Sequence, residues 1–216
     1  MARTFRGVFG CTVFAAIFVF GAVACSDSQS PEREQHCDQS FGAPELSPYV
    51  LPFPVRTTFR VIQSYCESSS ASHFGTFAYD FDFAVGDLVV ASRAGTVIGR
   101  RSDNEDGNRD CRPGGGNFIL IEHEDGTVMQ YLHLTRGGVL VADGARVQAG
   151  EIIGYSGDTG CSGGPHLHVE LFRDREALSP GASVPFNYRN ARGVLDDRNG
   201  LANGVAYEAM PYELAR

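Results

Sequence analysis

An all-β fold of short antiparallel hairpins is what this sequence predicts, and three observations carry the prediction. Apolar and polar residues alternate in runs of about four to eight. Turn signals such as Glu124-Asp125-Gly126, Asp143-Gly144 and Ala149-Gly150 separate the runs. No apolar spacing of helical period persists for about a dozen residues before the C-terminal tail. The 216 residues include 26 glycines and 10 prolines, and with 43% hydrophobic and 20% charged residues they suit one globular domain carrying short polar extensions.

Taken in order, the chain starts with Arg3 and Arg6, an apolar run from Val8 to Val23, and Ala22-Val23-Ala24-Cys25. This reads as an export signal over residues 1–25, since the run is short for a membrane span of about 20 residues. The small residues before Cys25 resemble the lipobox of bacterial lipoproteins, in which the cysteine is acylated and anchors the protein to the membrane. Ala22 stands where that motif usually has leucine, so ordinary signal cleavage is the alternative. Residues 26–45 are polar and aperiodic, a tether with no core of its own; His36 lies there and is set aside as an exposed histidine. The folded domain is expected over 46–216, with its core at 49–172.

Within the core, Phe59, Val61 and Ile62 mark a first strand in the stretch from Val55 to Val61. Leu88 to Ala91 and Thr96 to Gly99 are short buried strands around Ala94-Gly95. Arg101 to Gly116 is a long polar loop of the kind that borders functional grooves. Asn117 to His123 and Val128 to Leu134 form a hairpin, and Val139 to Gly157 holds two more strands. A glycine-rich loop from Gly157 then leads through Pro165 into a strand on which His166, His168 and Glu170 share one face and Leu167, Val169 and Leu171 the other. After Phe172 an irregular tail is expected to lie on the sheet edges.

Composition excludes some functions. The net charge is −8, and −10 once the leader removes Arg3 and Arg6 with no acid, so nucleic acid is not the expected partner. All 18 basic residues are arginine. The stretch Gly144 to Gly154 looks like half of a biotinyl or lipoyl carrier domain, but a carrier needs an acceptor lysine and the chain has none. Of six cysteines, Cys11 lies in the leader and Cys25 at its end, which leaves Cys37, Cys66, Cys111 and Cys161 as an even set in an oxidising compartment. Cys111 with Cys161, tying the long loop to the glycine-rich loop, and Cys37 with Cys66 are the expected bridges.

The chemistry is carried by histidines. Hydrolytic zinc sites keep three protein ligands and leave a fourth position for water. His73, Asp80, His133, His166 and His168 come from separate β segments, each near glycine, proline or a strand end. His73-Phe74-Gly75 with Asp80 and Gly86, Tyr131-Leu132-His133-Leu134, and Gly157 to Glu170 with its Gly164-Pro165-His166-Leu167-His168 together resemble the lysostaphin and LytM type of zinc peptidoglycan endopeptidases. The resemblance runs from about Tyr49 to Phe172.

The resemblance implies a lysostaphin-like sheet built from related hairpin halves, and Zn2+ held by His73, Asp80 and His168. His133 and His166 would orient or deprotonate the attacking water and stabilise the oxyanion, in a monomer that cuts peptidoglycan stem peptides in the cell envelope. Six residues separate His73 from Asp80, where many members have three, and this makes Asp82 a rival ligand. Asp80 is preferred because Gly86 and Ala91 then keep the family register. Glu170 is either a hydrogen-bond acceptor for a ligand imidazole or an exposed carboxylate, and His123 reads as structural. The competing function is a catalytically silent wall protein that activates another hydrolase; degenerate relatives lose ligand or catalytic histidines, whereas this chain has them all.

Overall fold

The computed structural model describes residues 37–66, 73, 75–178 and 182–213. The expected export leader, the expected acylation at Cys25 and the position of His36 lie outside the described residues. Among those described, the secondary structure is eleven strands and one 3-10 turn, Pro44–Leu46. The strands are β1 (Thr58–Gln63), β2 (Ala78–Phe81), β3 (Leu88–Val90), β4 (Gly95–Arg101), β5 (Asn117–Glu122), β6 (Val128–Val139), β7 (Arg146–Val147), β8 (Ile152–Ser156), β9 (Leu167–Phe172), β10 (Ala191–Arg192) and β11 (Ala206–Ala209). The fold is all-β and every pairing is antiparallel.

Neighbouring strands run β10-β11-β1-β2-β9-β6-β5-β4-β7, with β3 on β8 and β8 on β6. The centre is the trio β2, β9 and β6, whose alternation sends Tyr79, Val169 and Tyr131 into the core, all fully buried and in register with one another. Phe53, Phe81, Ile119 and Phe186 fill the same core. The Tyr131 hydroxyl is satisfied there by accepting the Ser92 N–H at 2.6 Å.

Two extensions differ from expectation. Residues 37–45, expected within the tether, lie on the domain: Phe41 is buried against Tyr65 and Phe77, and Cys37 is bonded to Cys66. The tail supplies strands: β11 pairs with β1 and β10 with β11, while Tyr188, Leu201 and Tyr207 enter the core. Two- and four-residue strands rich in alanine give almost no alternation signal, and it is the partner edge that makes them strands.

Cys111 and Cys161 form the second disulfide, across 50 residues of sequence. Closing a loop of that size stabilises by about 4 kcal/mol in the chain-entropy model. Urea unfolding of a Cys111→Ser, Cys161→Ser variant is expected to show a loss of that order, with strain in the native bridge reducing it. An unchanged midpoint would mean that the two loops are held by their other contacts alone.

Candidate active site

The register of the central trio builds the site on the face opposite the core. Asp80 on β2 pairs with His168 on β9, and His168 pairs with Leu132 on β6. His73, just before β2 in sequence, is fully buried beside them. Asp80 Oδ1 lies 3.2 Å from His73 Nε2 and 2.9 Å from His168 Nδ1, and the two ring nitrogens are 3.3 Å apart. The outer atoms of both rings are fixed. His73 Nδ1 donates to the Ser64 carbonyl at 2.8 Å, so in this tautomer the Nε2 lone pair faces the cluster. His168 Nε2 lies 3.5 Å from Glu170 Oε2, which favours the Nε2–H form and a lone pair on Nδ1.

Two nitrogen lone pairs and a carboxylate oxygen at this spacing repel unless a proton or a cation lies between them. The edges of 2.9 to 3.3 Å suit zinc, whose tetrahedral ligands at about 2.0–2.1 Å from the metal stand roughly 3.3 Å apart. These residues therefore fit a zinc ion. Where a proton and not a cation fills that space, burial alone would raise the Asp80 carboxyl, but hydrogen bonds donated by His168 and His73 hold it well below the usual carboxylate range. His168 is the counterpart: burial would lower it, and its hydrogen bonds to Asp80 and Glu170 push it up.

His133 reaches this face through a backbone irregularity. In the β5–β6 ladder Phe118 pairs with Leu132 and Asn117 with Leu134, which leaves His133 as an extra residue. Its φ is +65°, in the left-handed region. Regular alternation would place it on the core side with Tyr131; the bulge turns it back over the site. The bulge falls where the other edge of β6 changes partner, from β9 at Leu132 to β8 at Leu134. The His133 ring centre then lies 4.4 Å from that of His166 and 6.0 Å from that of His168.

Both flanking imidazoles have their protons placed. His133 Nδ1 donates to the Thr159 carbonyl at 2.7 Å, and His166 Nδ1 donates to the Gly164 carbonyl at 2.8 Å. In this tautomer each ring has Nε2 left as an acceptor, and His166 Nε2 is 3.7 Å from Asp80 Oδ2. Burial, with His166 and His168 nearby, pushes His133 down to about 3, so it is neutral at pH 7.

The wall above the bulge is the glycine-rich loop. A Cβ on Gly160, at φ +82°, would stand 2.7 Å from Gly116 Cα, so the loop meets the long 101–116 loop glycine against glycine. Arg109 binds Asp158 through its two terminal guanidinium nitrogens at 2.7 and 2.8 Å, and Ser162 Oγ lies 2.7 Å from Asp158 Oδ1. With the disulfide beside them, these contacts fix the two loops as one wall.

The structure thus brings together His73, Asp80, His133, His166 and His168, and it separates the other candidates. Asp82 lies past the end of β2 and is exposed. Glu170 is buried beside His168, with Oε1 unpartnered among the described residues. Sequence reading missed Asn117, Thr159 and the Ser64 carbonyl as supports. A backbone acceptor leaves no sequence signal, but Asn117, a polar residue opening an apolar strand beside a triple glycine, could have been flagged.

His123 follows β5 at the end away from Asn117. It is 3% exposed, donates from Nδ1 to the Ala94 carbonyl at 2.9 Å, and is pushed down to about 4 chiefly by burial. A folded-state value below the unfolded 6.5 means that its stabilisation is complete above pH 6.5 and is lost as pH falls towards 4. The loss is about 3 kcal/mol. Urea unfolding between pH 7 and pH 4 should show this slope, and His123→Asn, which can keep the donor to Ala94, should flatten it by that amount. Equal slopes in the two proteins would exclude His123 as the source.

The profile of peptidase family M23 matches residues 75–180. Over 116 residues the chain is 37% identical to the peptidoglycan DD-endopeptidase ShyA of Vibrio cholerae, covering 53% of this chain and 24% of that protein. Over 145 residues it is 32% identical to the glycyl-glycine endopeptidase ALE-1 of Staphylococcus capitis, covering 67% and 36%. Over 132 residues it is 38% identical to lysostaphin of Staphylococcus simulans, covering 57% and 24%. The chain thus spans between about a quarter and a third of the length of these relatives. The solved catalytic domain of lysostaphin from Staphylococcus simulans aligns at 27% identity with a TM-score of 0.45, over 60% of this chain and 88% of that one.

Proposed function

We propose, on the premise that residues 75–180 are a peptidase family M23 domain, that this chain is a zinc-dependent endopeptidase that cuts peptide cross-links of bacterial peptidoglycan. The observation that carries the reading is the pair of proton-locked imidazoles, His133 and His166, beside three converging ligand atoms. A scaffold that only binds has no use for both.

His73, Asp80 and His168 would hold the zinc. When bound, the ion acidifies the hydrolytic water and polarises the scissile carbonyl. The protein's own part is proton handling. Because Nδ1 of His133 and of His166 is committed to a backbone carbonyl, neither ring can donate from Nε2 until it has accepted a proton there. Each is therefore set as a base first. After taking the water's proton, the imidazolium becomes the donor for the oxyanion or the departing amine.

The two disulfides fit an exported protein, and the leader together with Cys25 supports a lipid anchor in the cell envelope. Among the described residues no helix is long and apolar enough to cross a membrane. The substrate bond is tested by mass spectrometry of purified wall fragments after incubation with the zinc-loaded protein. New amino termini at stem-peptide cross-links are expected; intact muropeptides from walls of several cross-link types would refute the proposal.

A further inference from the structure

The His133 bulge needs support, because a left-handed backbone is disfavoured for histidine and regular pairing would return the ring to the core side. Two side chains supply it. The Leu134 carbonyl, directly after the bulge, accepts Asn117 Nδ2 at 3.1 Å and Thr159 Oγ at 2.9 Å. The Asn117 N–H in turn donates to Thr159 Oγ at 2.8 Å, so the two residues and the carbonyl close a ring of hydrogen bonds. Both side chains are fully buried.

Asn117 also reaches the groove loop. Its Nδ2 donates to the Asn104 carbonyl and its Oδ1 accepts the Asn104 N–H, both at 2.9 Å. Its amide oxygen and both amide protons are therefore engaged, and Asn104 in turn donates to the Gly114 carbonyl at 3.0 Å. Thr159 contributes a second link, since its own carbonyl accepts the His133 ring proton. One buried knot thus joins the long loop, the bulge of β6 and the glycine-rich loop.

We propose that Asn117 and Thr159 are positioning residues for His133, holding the bulge open so that the imidazole faces the metal-type cluster with its proton on Nδ1. The catalytic part of this inference rests on the endopeptidase reading; the placement of the ring does not. Thr159→Val keeps the shape of the side chain and removes the hydroxyl, Thr159→Ser restores the hydroxyl, and Asn117→Ala removes the amide.

The test has two arms. In steady-state hydrolysis of cross-linked peptide, Thr159→Val and Asn117→Ala are expected to lower kcat by roughly 10- to 100-fold, as a small misplacement of a reacting group does. KM and zinc content should stay near wild type, and Thr159→Ser should recover most of kcat. In the second arm, long-range 15N–1H correlation spectra should show the Nδ1–H form of His133 in the wild type and in Thr159→Ser. That signature should be lost or mixed in Thr159→Val and Asn117→Ala. If kcat and the His133 signature both stay at wild-type values while only the melting temperature falls, the residues are structural supports and the proposal is overturned. If the wild type is inactive, the endopeptidase reading fails and the spectra alone decide the positioning claim. Should Asn117→Ala not fold, the Thr159 pair answers the same question.

Discussion

Replacing His168 with alanine is expected to abolish hydrolysis and to take bound zinc from about one ion per chain to nearly none. His168 stands at the centre of the cluster, in register with Asp80 on one side and Leu132 on the other. Its loss removes one of three ligand atoms and also the partner that does most to hold the buried Asp80 ionised. What remains is a carboxylate and one imidazole, too few to hold zinc tightly in water. Elemental analysis after dialysis checks the metal, and near-ultraviolet circular dichroism checks the fold. Full zinc stoichiometry in folded His168→Ala would show that the ligands are other residues.

A second large effect is expected from the acceptor imidazoles. His166→Ala and His133→Ala should each retain zinc and lose about two to four orders of magnitude in kcat, the range for removing a general acid–base or oxyanion group. That corresponds to about 3–5 kcal/mol of barrier. The two variants differ in what is left behind. His166 sits on the glycine-rich loop with its Nε2 near Asp80, so its removal leaves β6 untouched. Removing His133 deletes the side chain for which the bulge is formed, and the Thr159 carbonyl loses its donor. A double variant no slower than either single one would show that the two rings work as one proton-handling unit. Single variants within a few fold of wild type would remove both from the chemistry.

Much of this molecule is written in its local sequence. The hairpin around Asp125-Gly126, the short strands at 88–90 and 95–101, and the shared face of His166, His168 and Glu170 follow from alternation and turn residues, because period-2 patterning has a direct geometric consequence. The bulge at His133 does not follow. Leu132-His133-Leu134 reads as ordinary alternation, and only the change of partner strand along β6 shows that an extra residue is inserted there. The same holds for the tail, whose short strands depend on the free edge of β1, and for Phe41, which is buried by neighbours remote in sequence. Asp80 and Asp82 could not be told apart by composition. What separates them is that β2 ends at Phe81, leaving one carboxylate buried among histidines and the next exposed.

The central claim is that the cluster and its two flanking imidazoles act together as a catalyst. The most direct test is the rate at which zinc-loaded protein releases new amino termini from purified peptidoglycan, measured beside chelator-treated protein and His166→Ala. The account predicts steady release by the zinc-loaded wild type, none after chelation with recovery on adding zinc back, and a rate lower by at least about a hundredfold in His166→Ala. No release from walls of several cross-link types, together with stimulation of a separate hydrolase by wild type and His166→Ala alike, would contradict it and make the chain a regulator.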